Sequence, residues 1–175
     1  MKPLLLKVNN KPVFSFDIRY EKSAYFNNPW HYHPELELTL ITRSSGMRFI
    51  GDSIEPFEEN DLVLLGSNLP HYWRNSPVFY EPNAPFHAEA IILRFNLDVW
   101  GSALLDTPEM SALKILFQQA QLGLHFPVET AEQIRPLLEE ILAANNMERV
   151  IKWLQIFEIL TKSRFIHVCN IRNGG

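Results

Sequence analysis

The chain has a single cysteine, Cys169, among its 175 residues, so no disulfide can form within it and a disulfide-stapled secreted scaffold is excluded. No run approaches the ~18 apolar residues of a membrane-spanning helix. At the N-terminus only three leucines separate Lys2-Pro3 from Lys7, too few for the core of a signal peptide. The expectation is a cytoplasmic protein with no membrane partner. Basic charge is also scarce: the net charge is −4, and the excess acid all precedes Thr107, which argues against a nucleic-acid footprint. A Ser/His/Asp set, a phosphate-cradling glycine loop and zinc-finger spacing are all lacking. What is there is a chain 46% hydrophobic and 21% charged, of single-domain length.

Before Thr107, short apolar runs alternate with turn residues: Val13–Tyr20, His31–Thr42, Met47–Ile50, Asp61–Leu65 and Ala88–Leu97. Many short strands at close spacing predict an antiparallel sandwich or barrel over residues 1–106. From Thr107 to Gly175 the period changes to that of helices. Thr107-Pro108-Glu109 has the hydroxyl, proline and acid of a helix start, Met110, Leu113, Phe117 and Ala120 form one stripe, and Gly123 ends it. Thr130 and Gln133 have capping-box spacing ahead of Ile134, Leu138, Ile141 and Leu142, with Pro136 predicting a kink or a later start. A third helix is expected from about Met147 to Ile166. Its apolar set is wider than one docking stripe needs: Met147, Ile151, Leu154 and Phe157 on one side, Trp153, Ile156 and Leu160 on the other. That surplus predicts a two-fold homodimer through the helical segment, chiefly its third helix, with the Trp153, Ile156 and Leu160 stripe facing the second copy. Asn173-Gly174-Gly175 reads as a linker.

The chemistry is concentrated in two stretches. In Trp30-His31-Tyr32-His33-Pro34-Glu35-Leu36-Glu37-Leu38, residues 31, 33, 35 and 37 share one face if the chain is extended, while Leu36, Leu38 and Leu40 share the other. Pro70-His71-Tyr72-Trp73-Arg74-Asn75 supplies a third imidazole. His31, His33, Glu37 and His71 together make a three-nitrogen, one-oxygen donor set of the kind that takes Zn, Ni, Fe or Mn. Two readings stand side by side: one divalent transition metal, or histidines that hydrogen-bond to one another, to water and to a ligand. The leucine face needs an apolar cover, expected from the chain's own helices.

These stretches resemble the two cupin motifs. His31-x-His33, three residues, Glu37 and then Gly46 is similar to the first. Asn60, five residues, Gly66-Ser67-Asn68, two residues, His71, three residues and Asn75 is similar to the second. Asn60 and Asn68 stand where that pattern has glycine, which keeps the left-handed turns accessible. Gly66 stands where it has proline, Tyr25 replaces the opening glycine, and Gly46 comes two residues late. The string His33 to Leu38, the Gly46–Asp52 turn, Leu62–Gly66 running on to Pro70–Trp73, and the tail Met147–Leu160 are similar to the N-terminal sensor domain of AraC-type transcription regulators. That resemblance implies a mostly-β, cupin-type double-stranded β-helix (a jelly-roll barrel) followed by two or three helices used for dimerisation. It also implies a small-molecule effector such as a sugar, no catalysis, and DNA binding by helix-turn-helix motifs that follow Asn173 in a longer protein.

Around the quartet, Glu35 is placed to replace Glu37 or to support it. Trp73 is placed either to stack on a sugar or aromatic effector or to fill the core, and Asn75 to reach the pocket if its strand continues. Arg19 and Arg94, in apolar strands, need partners: an effector carboxylate or a barrel acid. His87, His125, His167 and Cys169 show no ligand spacing. The competing function is a stand-alone metal-dependent cupin enzyme, a dioxygenase or isomerase, in which an acid such as Glu35 moves protons.

Overall fold

The computed structural model describes residues 2–7 and 14–170. Val13, at the head of the first expected strand, and the Asn173–Gly175 linker lie outside them. In chain order the elements are β1 (Leu4–Leu5), β2 (Asp17–Ser23), β3 (His31–Tyr32), β4 (Leu36–Arg43), β5 (Gly46–Ile50), β6 (Ser53–Phe57), β7 (Leu62–Leu65), β8 (His71–Asn75), β9 (Ala88–Phe95), α1 (Ser102–Leu105), α2 (Ser111–Gln119), β10 (Leu124–Phe126), α3 (Val128–Ala143), α4 (Met147–Lys162) and β11 (Ile166–His167). Two sheets form. One runs β1-β3-β8-β5-β6 and the other β11-β10-β7-β4-β9-β2. Among the described residues strand pairing leaves them separate, with β1 and β6 at the edges of one and β11 and β2 at the edges of the other, so hydrogen bonding there does not close a barrel.

The expected continuous run His31–Thr42 is two strands in two sheets. Pro34 has no amide hydrogen to give a ladder, and the chain leaves β3 at His33 and enters β4 at Leu36. The turn between β7 and β8 clamps this crossover: the Asn68 amide donates to the His33 carbonyl at 2.8 Å, and the Ser67 hydroxyl donates to the Pro34 carbonyl. Asn68 and Asn60 both take positive φ, 60° and 67°, so the asparagines keep the turns that glycine would otherwise make. Gly46 is obligatory for a different reason. At φ 156° a Cβ would strike the Arg74 carbonyl of the neighbouring strand.

Alternation along β4 and β9 builds two cores from one sheet. Ile41, Ala90 and Ile92 face the other sheet and pack with Ile50, Phe57 and Trp73 from it. Leu36, Leu38, Leu40, Ile91, Leu93 and Phe95 point the opposite way, onto Leu116 and Phe117 of α2, Ile134 and Leu138 of α3, and Trp153 and Phe157 of α4. The leucine face is therefore covered by the chain's own helices, as expected, each side chain contributing about 1.5–3 kcal/mol.

The helices depart from expectation in detail. Thr107 is not a cap: its hydroxyl donates to the Leu104 carbonyl, residues 108–110 make one tight turn, and α2 begins at Ser111. α3 begins at Val128, directly after Pro127, with Thr130 buried inside its first turn rather than capping it. Pro136 sits in the interior of that helix with no break in it; residues 132 and 136 are both exposed, so water can reach the carbonyl that loses its amide. α4 stops at Lys162, where Ser163 turns extended, and Ile166 joins a strand instead. The segment after Asp106 is not purely helical, since β10 and β11 extend the six-stranded sheet.

One correction matters more. Trp153, Ile156 and Leu160, expected on a dimer-facing stripe, are buried in the monomer. Trp153 is wedged among Phe157, Trp100 and Phe95 at ring separations of 4.1, 4.3 and 5.1 Å. The exposed apolar residues of α4 are Met147 and Ile151, 73% and 46% accessible, with Ile115 of α2 also exposed. Trp153→Ala should cost about 3–5 kcal/mol in urea unfolding. Met147→Lys should stay within about 0.5 kcal/mol of the parent. Equal effects from the two would contradict this assignment of inner and outer faces.

Candidate metal centre and inner cavity

Sheet crossing, not a single strand face, brings the histidines together. His31 on β3 and His71 on β8 are directly paired across one sheet, and His33 reaches in from the Pro34 crossover. All three are buried, and one ligand nitrogen from each lies within 4.8 Å of the others. Glu37, on β4 of the opposite sheet, closes the group: its Oε2 lies 3.0 Å from His33 Nε2 and 3.7 Å from His71 Nε2.

The imidazoles are held from behind. His31, His33 and His71 each place Nδ1 against a backbone carbonyl, of Pro29, Glu35 and Leu69, at 2.6, 3.1 and 2.8 Å. A carbonyl can only accept, so Nδ1 carries a proton in each ring, and the unpartnered Nε2 of His31 and of His71 keeps its lone pair. This is the outer support that fixes the tautomer of metal-binding histidines. Nε2 of His31 and of His71 are buried with no hydrogen-bond partner. His33 Nε2 faces a carboxylate oxygen, another acceptor, so the pair calls for a proton or a cation between them. Burial, reinforced by the neighbouring His71, pushes the His31 pKa down to about 4, which keeps that imidazole neutral near pH 7. The donor set thus fits a divalent transition metal on His31, His33 and His71, with Glu37 beside it.

Glu37 has a second set of contacts. Arg94, directly opposite it on β9, donates from Nε to Oε2 at 2.6 Å, and Thr39 donates its hydroxyl to Oε1 at 2.6 Å. Burial alone would raise the Glu37 pKa, but Arg94 and the imidazoles hold it well below the usual carboxylate range. Between the sheets a cavity of about 30 Å³ adjoins this cluster, lined by Glu21, Phe26, Asn28, His31, Glu37 and Trp73 among others. That volume holds about two waters.

Of the other candidate residues, Trp73 lies at the cavity, its ring edge-on to His71 and its indole N–H buried without an acceptor. Arg94 lies there too. Glu35 does not: it is on the Nδ1 side of His33, its carboxylate 3.5 Å from that nitrogen, behind the ring rather than in front of it. Asn75 is a latch, accepting from the Phe26 amide and donating to Ser44, which uses its side chain to tie three segments together. Arg19 sits farther along β2, in a separate groove with Phe14, Asp17 and Arg149, because parity alone does not bring the end of an edge strand over the cavity. Glu21 went unread in the sequence, yet its Oε2 is buried and unpartnered at the cavity. Its place in the alternation Asp17, Arg19, Glu21 was the available signal. His125 pairs with Asp61 at 3.1 Å, and Cys169 is buried with its thiol pushed up to about 11 by desolvation.

No protein-family model matches the chain, and no curated protein does. Solved structures similar to part of it include proteins described as cupin barrel domain or cupin-like proteins. A cupin 2 conserved barrel domain protein from Rhodopseudomonas palustris aligns at 16% identity and TM-score 0.39, over 50% of this chain and 57% of that one. One from Salinispora arenicola CNS-205 aligns at 15% and 0.39, over 54% and 74%. A cupin-like protein from Thermotoga maritima aligns at 18% and 0.37, over 50% and 62%. The likeness is partial, and the account of the site rests on its own geometry.

Removing Arg94 would leave a buried carboxylate without its charge partner. In metal-free protein Arg94→Met should cost about 3–5 kcal/mol, and adding Glu37→Gln should recover a large part of it. Urea titrations of the two single variants and the double variant measure this. Independent, additive effects would contradict a coupled pair.

Proposed function

We propose that this chain is the small-molecule-sensing and dimerising domain of an AraC-type transcription regulator, a cupin-type barrel whose His31, His33 and His71 hold a divalent transition metal beside Glu37. The bound ion supplies a Lewis-acidic anchor for an effector, and the chain's own residues position it. In regulators of that type, DNA is bound by helix-turn-helix motifs that follow the sensor, and the acidic balance of this chain suits that division of labour.

One observation carries the sensing role: β4 and β9 have the cavity on one face and the helical layer on the other. Arg94 touches Glu37 at the site, and the next residue, Phe95, packs edge-on against Trp153 and Phe157 of α4 at 5.1 and 5.2 Å. An effector that shifts the Glu37–Arg94 pair therefore displaces the strand on which α4 rests. Packed interiors transmit such shifts because they do not compress. On its outer side α4 offers Met147, Ile151 and the half-buried Leu154, which supply the apolar stripe for a two-fold contact.

The metal-dependent enzyme is the second reading, favoured by the open Nε2 atoms of His31 and His71. Native mass spectrometry with metal analysis separates the two. The expected result is a dimer holding one metal per chain, with no turnover of simple organic acids. His71→Ala should lose the metal and keep the dimer. Ile151→Asp should give a folded monomer that keeps the metal. A parent protein that is monomeric at high micromolar concentration, or one that turns over an organic substrate when metal-loaded, would overturn the regulatory assignment.

A further inference from the structure

Arg149, in the first turn of α4, is a buried cation with no acid beside it. The residue is 8% exposed. Its Nη1 donates to the Ile141 carbonyl near the end of α3 at 3.4 Å, and its Nη2 to the Phe16 carbonyl at 3.3 Å. The rings of Phe14 and Phe16 lie over it, their centroids 4.2 and 4.8 Å from Cζ. These contacts hold the guanidinium in place without neutralising it. No carboxylate pairs with it among the described residues, and Glu140 of α3 and Glu148 of α4 are both drawn to Lys152. The sequence from residue 8 to residue 13 contains no acid that could serve. Burial outweighs the attraction of Asp17 and pushes the Arg149 pKa down, as expected where negative charge is short. A buried charge without a counter-charge is costly.

The guanidinium borders a groove of about 380 Å³, within the range that takes small molecules. Its charged lining is Arg149, Arg19 and Asp17, which leaves one positive charge uncompensated. Phe14 and Leu142, 45% and 37% exposed, add apolar surface to the same groove. None of its lining residues belongs to the inner cavity beside the histidines. The complement of this lining is a molecule with one negative charge and an apolar body. A guanidinium fork receives a carboxylate through two parallel hydrogen bonds. A phosphate dianion brings more charge than the groove lacks and covers neither Phe14 nor Leu142.

We propose that this groove binds an aryl or alkyl monocarboxylate, its carboxylate on Arg149, Arg19 adding the second positive charge, and its body against Phe14 and Leu142. The site is separate from the metal centre and stands or falls independently of the regulatory reading.

Isothermal titration of the full chain, stripped of metal and freed of chelator, with benzoate, benzamide, acetate and inorganic phosphate near neutral pH tests it. Benzoate should bind about tenfold more tightly than benzamide, which keeps the ring and lacks the charge. It should also bind about tenfold more tightly than acetate, which keeps the charge and lacks the ring. Arg149→Lys keeps the charge and loses the fork, and should weaken benzoate about tenfold while leaving benzamide unchanged. Arg19→Gln, on the edge strand β2, should weaken benzoate to a smaller extent and keeps the test open if the Arg149 variant does not fold. Benzoate that binds no more tightly than benzamide, that keeps its affinity in the folded variants, or that is outbound by phosphate overturns the proposal.

Discussion

Glu37 and Arg94 sit side by side in the interior, on neighbouring strands of the six-stranded sheet, each 2% exposed. Neither charge is tolerable there alone. Together, with the Thr39 hydroxyl on the second carboxylate oxygen, they form a fixed dipolar wall opposite the histidines. Because Arg94 holds Glu37 ionised, the Nε2 atoms of His33 and His71 look onto a negative oxygen, and the cluster attracts a cation. The candidate metal centre and the strand that leads to the helices meet at this pair.

The sheet that carries the pair is the partition of the molecule. Its inner face is polar near β3 and β8 and apolar farther along, where Ile41, Ala90 and Ile92 meet Ile50 and Phe57. Its outer face is continuous leucine, isoleucine and phenylalanine under three helices. Among the described helices, α4 has a buried side and an apolar exposed one, Met147 and Ile151, as α3 has with Val128 and Leu142. A contact made on α4 would bear on the same aromatic cluster that touches the strand behind Arg94.

Much of this was legible in the sequence, for identifiable reasons. The histidine spacing predicted convergence, and His31, His33 and His71 do converge, with Glu37 beside them. The alternation of Leu36, Leu38 and Leu40 predicted a helical cover. What failed was parity carried across a break. Pro34 splits the run into two sheets, so Glu35 falls behind His33 instead of beside Glu37. A helical wheel could not rank the two stripes of α4, because which one docks depends on where Phe95 and Trp100 lie. Asn75 was placed at the pocket by strand parity, and Arg19 was read as needing an effector carboxylate or a barrel acid. Their partners, Phe26 and Ser44 for the first and a separate groove for the second, come from long-range topology that a single sequence does not display.

The central claim is that the fold presets three imidazoles with Nδ1 protonated and Nε2 turned toward a shared cation site, open in His31 and His71 and facing Glu37 in His33. Nitrogen-15 chemical shifts of the histidine side chains in metal-free protein near neutral pH, followed through addition of one equivalent of zinc, test it directly. The account predicts protonated Nδ1 in His31, His33 and His71 throughout, bare Nε2 in His31 and His71 before zinc, and a zinc-induced shift at all three Nε2 atoms together. A proton found on Nε2 of His31 or His71 with Nδ1 bare, or shifts at only one ring, would contradict it.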